Sequence, residues 1–147
     1  MYKDKIILTL LSLSLTLFAS DPKVKSSEFP QKEIKKQNKE IAKLVAQEIS
    51  ETLPQAVDKY TTLTKIKNIG TTLVYTFEIN SGVKSDESIR KEDHSRMKKA
   101  ITTGVCQSSS KFLAAGINTS YVYISAKTKA NLFRFDITQK DCPIVID

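Results

Sequence analysis

The sequence predicts an α+β domain: an antiparallel sheet of about four strands, with helices packed on one face and one disulfide. Three observations predict it. Two stretches carry apolar residues at helical spacing, four alternate with period two in adjacent pairs, and the chain holds a single pair of cysteines. The resulting order is helix, strand, strand, helix, strand, strand, in which adjacent strands favour antiparallel pairing.

The first helix is expected over Gln31–Thr52. There Ile34, Ile41, Leu44, Val45 and Ile49 recur at spacings that put them on one face, with Lys and Glu on the other. Leu53-Pro54 ends it. Two strands follow, Thr61–Ile69 and Thr72–Asn80, joined by a turn around Gly70. In the second, Leu73, Tyr75, Phe77 and Ile79 alternate with polar positions, which marks a half-buried strand. The first alternates less cleanly and reads as an edge strand.

A long helical segment begins at an N-cap, Ser85 or Asp86. Ile89, Met97, Ile101, Val105, Phe112 and Leu113 mark its buried side, Gly104 is a point of kinking or splitting, and Gly116 is a C-cap. A terminal hairpin, Thr119–Lys127 and Asn131–Gln139, turns near Lys129. Three strands carry aromatic-x-aromatic: Tyr75/Phe77, Tyr121/Tyr123 and Phe133/Phe135. Period two sets each pair on one face, so the rings form either an aromatic core under the helices or an exposed ligand-stacking face.

Residues 1–19 read as a cleavable secretory signal peptide. Lys3 and Lys5 precede an apolar run from Ile6 to Phe18, and Ala19-Ser20 offers a small residue at its end. The run is shorter than the roughly 20 residues a spanning helix needs. No Cys stands near the cleavage point, which argues against a lipid anchor. Residues 20–30 then form a flexible leader, 31–143 a single domain, and 144–147 a short tail. The mature chain is expected to be soluble in the periplasm or outside the cell.

The formal charge is +7 for the whole chain. Such a balance suits an anionic partner, though a solvated surface is the more ordinary reading of it. The densest candidate patch for an anionic partner is Lys32, Lys35, Lys36, Lys39 and Lys43, with Glu33 and Glu40 interleaved. In an oxidising compartment, Cys106 and Cys142 are expected to pair. With only His94 in addition they make a poor zinc site, since structural zinc normally takes four ligands.

Nothing in the chain spells a catalytic apparatus. Asp93-His94-Ser95 has the letters of a hydrolase triad, yet consecutive residues on a helix point about 100° apart. An enzyme would require carboxylates such as Asp58, Glu78 or Asp136 gathered in a cleft. There is no glycine-rich phosphate loop, and Asn118-Thr119-Ser120 is a bare sequon. No catalytic, metal or cofactor residue is assigned, and no small-molecule cofactor is implied.

The pattern Leu53-Pro54, Val57-Asp58, Thr61, Val74-Tyr75-Thr76-Phe77, Val105-Cys106, Tyr121-Val122-Tyr123, Phe133-Arg134-Phe135-Asp136-Ile137 and Asp141-Cys142 resembles a loose group of small exported proteins of Gram-negative bacteria. The resemblance covers roughly residues 52–143. It implies a common fold and a paired Cys, and no particular activity.

The expectation is therefore an exported, non-enzymatic binding or adaptor protein with another protein as partner, in envelope assembly, secretion or inhibition. The alternative is a binder of anionic surfaces (membrane, lipopolysaccharide or nucleic acid) through the Lys-rich helix. The intact mass of the exported protein is expected to correspond to a chain starting at Ser20; a mass that retains residues 1–19 contradicts the cleavage.

Overall fold

The computed structural model describes residues 28–143. The signal peptide, the leader up to residue 27 and the tail 144–147 lie outside that range. Helix α1 (Glu28–Ser50) is followed by a two-residue strand β1 (Gln55–Ala56) and by β2 (Thr61–Ile69) and β3 (Thr72–Ile79). Three helices come next: α2 (Asp86–Lys91), α3 (Ser95–Ser108) and α4 (Ser110–Ala114). Strands β4 (Asn118–Ser125) and β5 (Asn131–Ile137) and a 3₁₀ turn (Gln139–Asp141) complete the domain. Helix α1 thus begins inside the stretch expected as leader.

The sheet has five strands in the order β1-β2-β3-β4-β5. Strand β1 pairs only with the start of β2, Gln55 opposite Leu63 and Ala56 opposite Thr62, so it covers part of the edge expected of β2. Gly70 makes the tight β2–β3 turn with φ of 60°, a conformation open to residues without a Cβ. The pairs β2–β3 and β4–β5 are antiparallel, as expected. The central pair β3–β4 is parallel, because α2–α4 carry the chain back along the sheet before β4 starts.

The long helical segment is broken twice, and at neither place by Gly104, which lies within α3. The first break is at Glu92–His94. There the Ser95 backbone N–H donates to Asp93 Oδ1 at 2.9 Å and the Ser95 hydroxyl donates to Asp93 Oδ2 at 2.9 Å. Such local bonds compete with helical ones. The second break falls at Ser109, in the run Ser108-Ser109-Ser110. Ser85 is the N-cap of α2, accepting from Ser88 N–H at 3.1 Å. Gly116, with φ of 87°, follows α4 in a Schellman arrangement: its N–H donates to Leu113 O and the Ile117 N–H to Phe112 O, both at 2.9 Å.

Both long helices lie on one face of the sheet. Ala42 and Ala46 are buried against Ile66, Leu73 and Ile117, with Ile41, Val45 and Ile49 beside them. Small residues at the seam let α1 sit close to β2. Two of the five apolar positions expected to face the sheet do not: Ile34 and Leu44 are exposed. Ile34 belongs to the first turns of α1, whose described side chains are exposed up to Asn38. Leu44 is turned about 100° from Val45 and off the seam. Phe112, expected to be buried, is also exposed.

The aromatic pairs form the centre of the core. Their register places Tyr75, Tyr121 and Phe135 in one row and Phe77, Tyr123 and Phe133 in the next. Adjacent rings stack, with centroids 5.1 Å apart for Tyr75–Tyr121, 5.0 Å for Phe77–Tyr123 and 4.6 Å for Tyr123–Phe133. Phe77, Tyr123 and Phe135 are buried under Met97 and Ile101 of α3. The core reading of these rings holds. Val105, Leu113 and Ile137 form a third cluster, with Cys106 and Cys142 packed on it. The two cysteines form a disulfide with Cα atoms 5.5 Å apart.

That bridge closes residues 106–142, and loop entropy for such a length is worth about 3.5–4 kcal/mol. The double variant Cys106→Ser/Cys142→Ser is expected to lose stability of that order in urea unfolding; an unchanged midpoint contradicts it. A second outcome follows from the tyrosines. Burial, then the charge of Tyr75, pushes Tyr121 up to about 12, and burial, then the charge of Tyr121, pushes Tyr123 up to about 12. Both groups ionise near 10 in the unfolded chain. Their neutral forms therefore stabilise the fold fully below pH ~10, and that contribution is lost as pH rises from about 10 to 12. Burial raises Tyr75 as well, so alkaline titration monitored by tyrosinate absorbance is expected to show three late tyrosines, Tyr75, Tyr121 and Tyr123, that ionise together with unfolding.

Candidate functional site

At the end of the sheet where β3 stops and β5 starts, the core opens into a cleft of about 620 Å³. Ile79 and Phe133 form its floor from the strands, and Ile89 and Met97 its wall from α2 and α3. The opposite lip is the Asn80–Lys84 loop, with Tyr60 beside it. The loop is shaped by its own polar side chains. Asn80 Oδ1 accepts from the Gly82 N–H at 3.2 Å, Gly82 takes φ of 60°, and Ser81 Oγ donates to Lys84 O at 3.2 Å. These bonds hold Val83 outward, 105% exposed, while Tyr60 is 58% exposed. Two apolar side chains thus stand in water at the mouth of an apolar hollow.

The polar groups of the cleft are few. Lys84 Nζ and Glu92 Oε1 pair across the rim at 2.7 Å with both side chains well exposed, a geometry worth little to stability. The hydrogen bond from Lys84 is the main reason the Glu92 carboxyl lies below its ordinary range. His94 lies against Phe133, ring centroids 3.8 Å apart, with Nδ1 2.6 Å from Glu92 O. A carbonyl oxygen only accepts, so Nδ1 carries the proton and Nε2 is the ring's remaining polar atom. Asp93 bonds Ser95 and His94 bonds Glu92 O, so the triplet Asp93-His94-Ser95 does not form a triad.

The other candidates are dispersed. Asp58 Oδ1 accepts from the backbone N–H groups of Tyr60 and Thr61 at 2.7 and 2.8 Å. Glu78 pairs with Lys129 at 2.8 Å, and Asp136 with Arg134 at 2.7 Å. Each carboxylate has its own partner rather than sharing a cleft. No cluster of three or more metal-ligating side chains occurs among the described residues.

Lys32, Lys35, Lys36, Lys39 and Lys43 are all exposed on α1. Spacings of four, three and four residues put Lys32, Lys36, Lys39 and Lys43 along one side of the helix. Glu33 and Glu40 fall on the neighbouring side, so residues interleaved in sequence separate in space. Lys35 alone borders a small hollow of about 300 Å³, with Asn38 and Gly116. Asn38, which sequence reasoning passed over, is buried and donates from Nδ2 to Ala115 O at 2.6 Å. Its signal was an amide placed four residues before Ala42 on the buried seam.

No protein-family model matches the chain, and no curated protein matches it. Solved structures do. A protein from Pseudomonas aeruginosa described as secreted is 17% identical, with a TM-score of 0.66, covering 75% of this chain and 96% of that one. The type 2 secretion system pilotin EpsS from Vibrio vulnificus is 12% identical, with a TM-score of 0.63 over 77% of this chain and 98% of its own. The type II secretion system pilotin AspS from Vibrio cholerae is 13% identical, with a TM-score of 0.59 over 76% and 97%. At these identities the likeness establishes a shared fold, spanning nearly the whole length of each of the three.

Proposed function

We propose that this chain is an exported adaptor that holds a partner protein at the apolar cleft between the Asn80–Lys84 loop and the α2–α3 junction. The observation that carries the reading is the cleft itself, whose mouth bears the exposed Val83 and Tyr60. Exposed apolar side chains around an apolar hollow mark places where another surface is buried. The fold is that of two type II secretion pilotins, which favours a partner in a secretion apparatus of the envelope. The signal sequence read at residues 1–19 supports the compartment.

The alternative, an anionic surface held by the lysines of α1, has less geometric support. Those lysines are all exposed along α1, where charges are readily solvated. Surface charge of that kind steers encounters more than it fixes a complex.

A photo-crosslinking residue placed at Val83 in the producing bacterium is expected to capture a component of the secretion apparatus. The same residue at Leu44, exposed on α1, is expected to capture none. Val83→Asp removes the burial of a valine, worth about 1.5–3 kcal/mol, so binding of the purified partner is expected to weaken by roughly ten- to a hundredfold. Thermal stability is expected to be unchanged. No product at Val83, or equal products at both positions, contradicts the reading.

A further inference from the structure

The opposite flank of α3 carries a second hollow, of about 1210 Å³, between that helix and the 3₁₀ turn. The Cys106–Cys142 bridge and Pro143 form part of its lining, and basic and hydroxyl side chains stand around them. Lys98, Lys99 and Lys140 bring three ammonium groups to it, and Thr102, Thr103 and Gln139 bring hydroxyls and an amide. None of the three lysines takes part in an ion pair among the described residues.

The one carboxylate in the hollow is already engaged. Asp141 Oδ2 accepts from the Thr138 N–H at 2.8 Å and from its hydroxyl at 2.9 Å, closing a capping box. The backbone bond foremost, then the hydroxyl, with the charge of Lys98 adding to them, hold the Asp141 carboxyl below its ordinary range. It therefore stays ionised and offsets one of three positive charges. Both walls are fixed in place, because Cys106 of α3 and Cys142 after the turn are joined.

A concave site with net positive charge and fixed walls selects an anion. Three ammonium groups exceed what one carboxylate can satisfy. A phosphate offers more charge and three acceptor oxygens, and forms strong charge-assisted hydrogen bonds with lysine. We propose that this hollow binds a phosphate-bearing ligand rich in hydroxyls, Lys98, Lys99 and Lys140 meeting the phosphate and Thr102, Thr103 and Gln139 bonding the remainder. The site is separate from the partner cleft, which takes Met97 from the first turn of the same helix and His94 from the residue before it.

The test is titration of the exported, purified protein with inorganic pyrophosphate at low ionic strength, followed by amide chemical shifts. Saturable shifts are expected at Lys98–Thr103 and Gln139–Asp141, with affinity falling as salt is raised. Lys98→Gln/Lys140→Gln is expected to weaken binding about tenfold or more. Lys32→Gln/Lys36→Gln, which removes the same charge from α1, is expected to leave it unchanged. The spectra themselves report that each variant is folded. Vesicles of phosphatidylglycerol that displace pyrophosphate assign the phosphate to a lipid headgroup, and failure to displace it assigns a soluble phosphate; either supports the site. Absence of saturable shifts, shifts spread equally over α1, or full affinity in the Lys98/Lys140 variant overturns it.

Discussion

The lateral packing of six aromatic rings across β3, β4 and β5 is the constraint on which the rest of the structure depends. Each ring on β4 touches a ring on β3, and Tyr123 also meets Phe133 and Phe135 on β5. A slip of one residue in any of the three strands would turn its pair to the other face. The rows therefore fix register as well as hydrophobic content. They also determine where helices can lie: α3 covers the Phe77–Tyr123–Phe135 side, and α1 covers Ile66 and Leu73. The cleft is the place where this covering stops, with Phe133 and Ile79 at its end.

Much of this was legible in the sequence because it rests on local periodicity. The alternation of Leu73, Tyr75, Phe77 and Ile79 located β3, the pair Ser85 or Asp86 bracketed the start of the second helical segment, and the spacing around Ile41 and Ile49 located α1. What was not legible depends on tertiary geometry. The parallel β3–β4 pair follows from the path of three helices, which no strand pattern encodes. Ile34 has the right spacing for burial but lies in turns of α1 that remain exposed. Ala42 and Ala46 have too little hydrophobic signal to stand out, yet they form the seam because they are small. The breaks in the second helical segment coincide with serine and aspartate side chains bonding nearby backbone, Asp93 with Ser95 and Ser108 with the Gly104 carbonyl, while the chain stays helical at Gly104 itself.

The candidate sites were harder to read for the same reason. The lysines of α1 drew attention because they are dense in sequence. Lys98, Lys99 and Lys140 converge only through the fold, since one end of the chain returns to α3 through the disulfide. Val83 is a single valine in a polar loop, and its exposure comes from the turn made by Asn80, Ser81 and Gly82. Helix α3 thus separates two hollows, one beside Met97 and one that Lys98, Lys99 and Lys140 surround.

The parallel pairing of β3 and β4 has a consequence for the order in which the domain assembles. The β2–β3 hairpin closes over a two-residue turn and can form as soon as its own residues are free. Strand β4 meets β3 only after all of residues 80–117 have been threaded through the crossover, a non-local closure of the kind that slows folding. Before that closure β3 has one open edge, and Tyr75 and Phe77 lack their neighbouring rings on β4. An unpaired edge beside exposed aromatics is prone to wrong pairing. The exposed lysines of α1, at the other side of the hairpin in sequence, add like charge that opposes such pairing between chains.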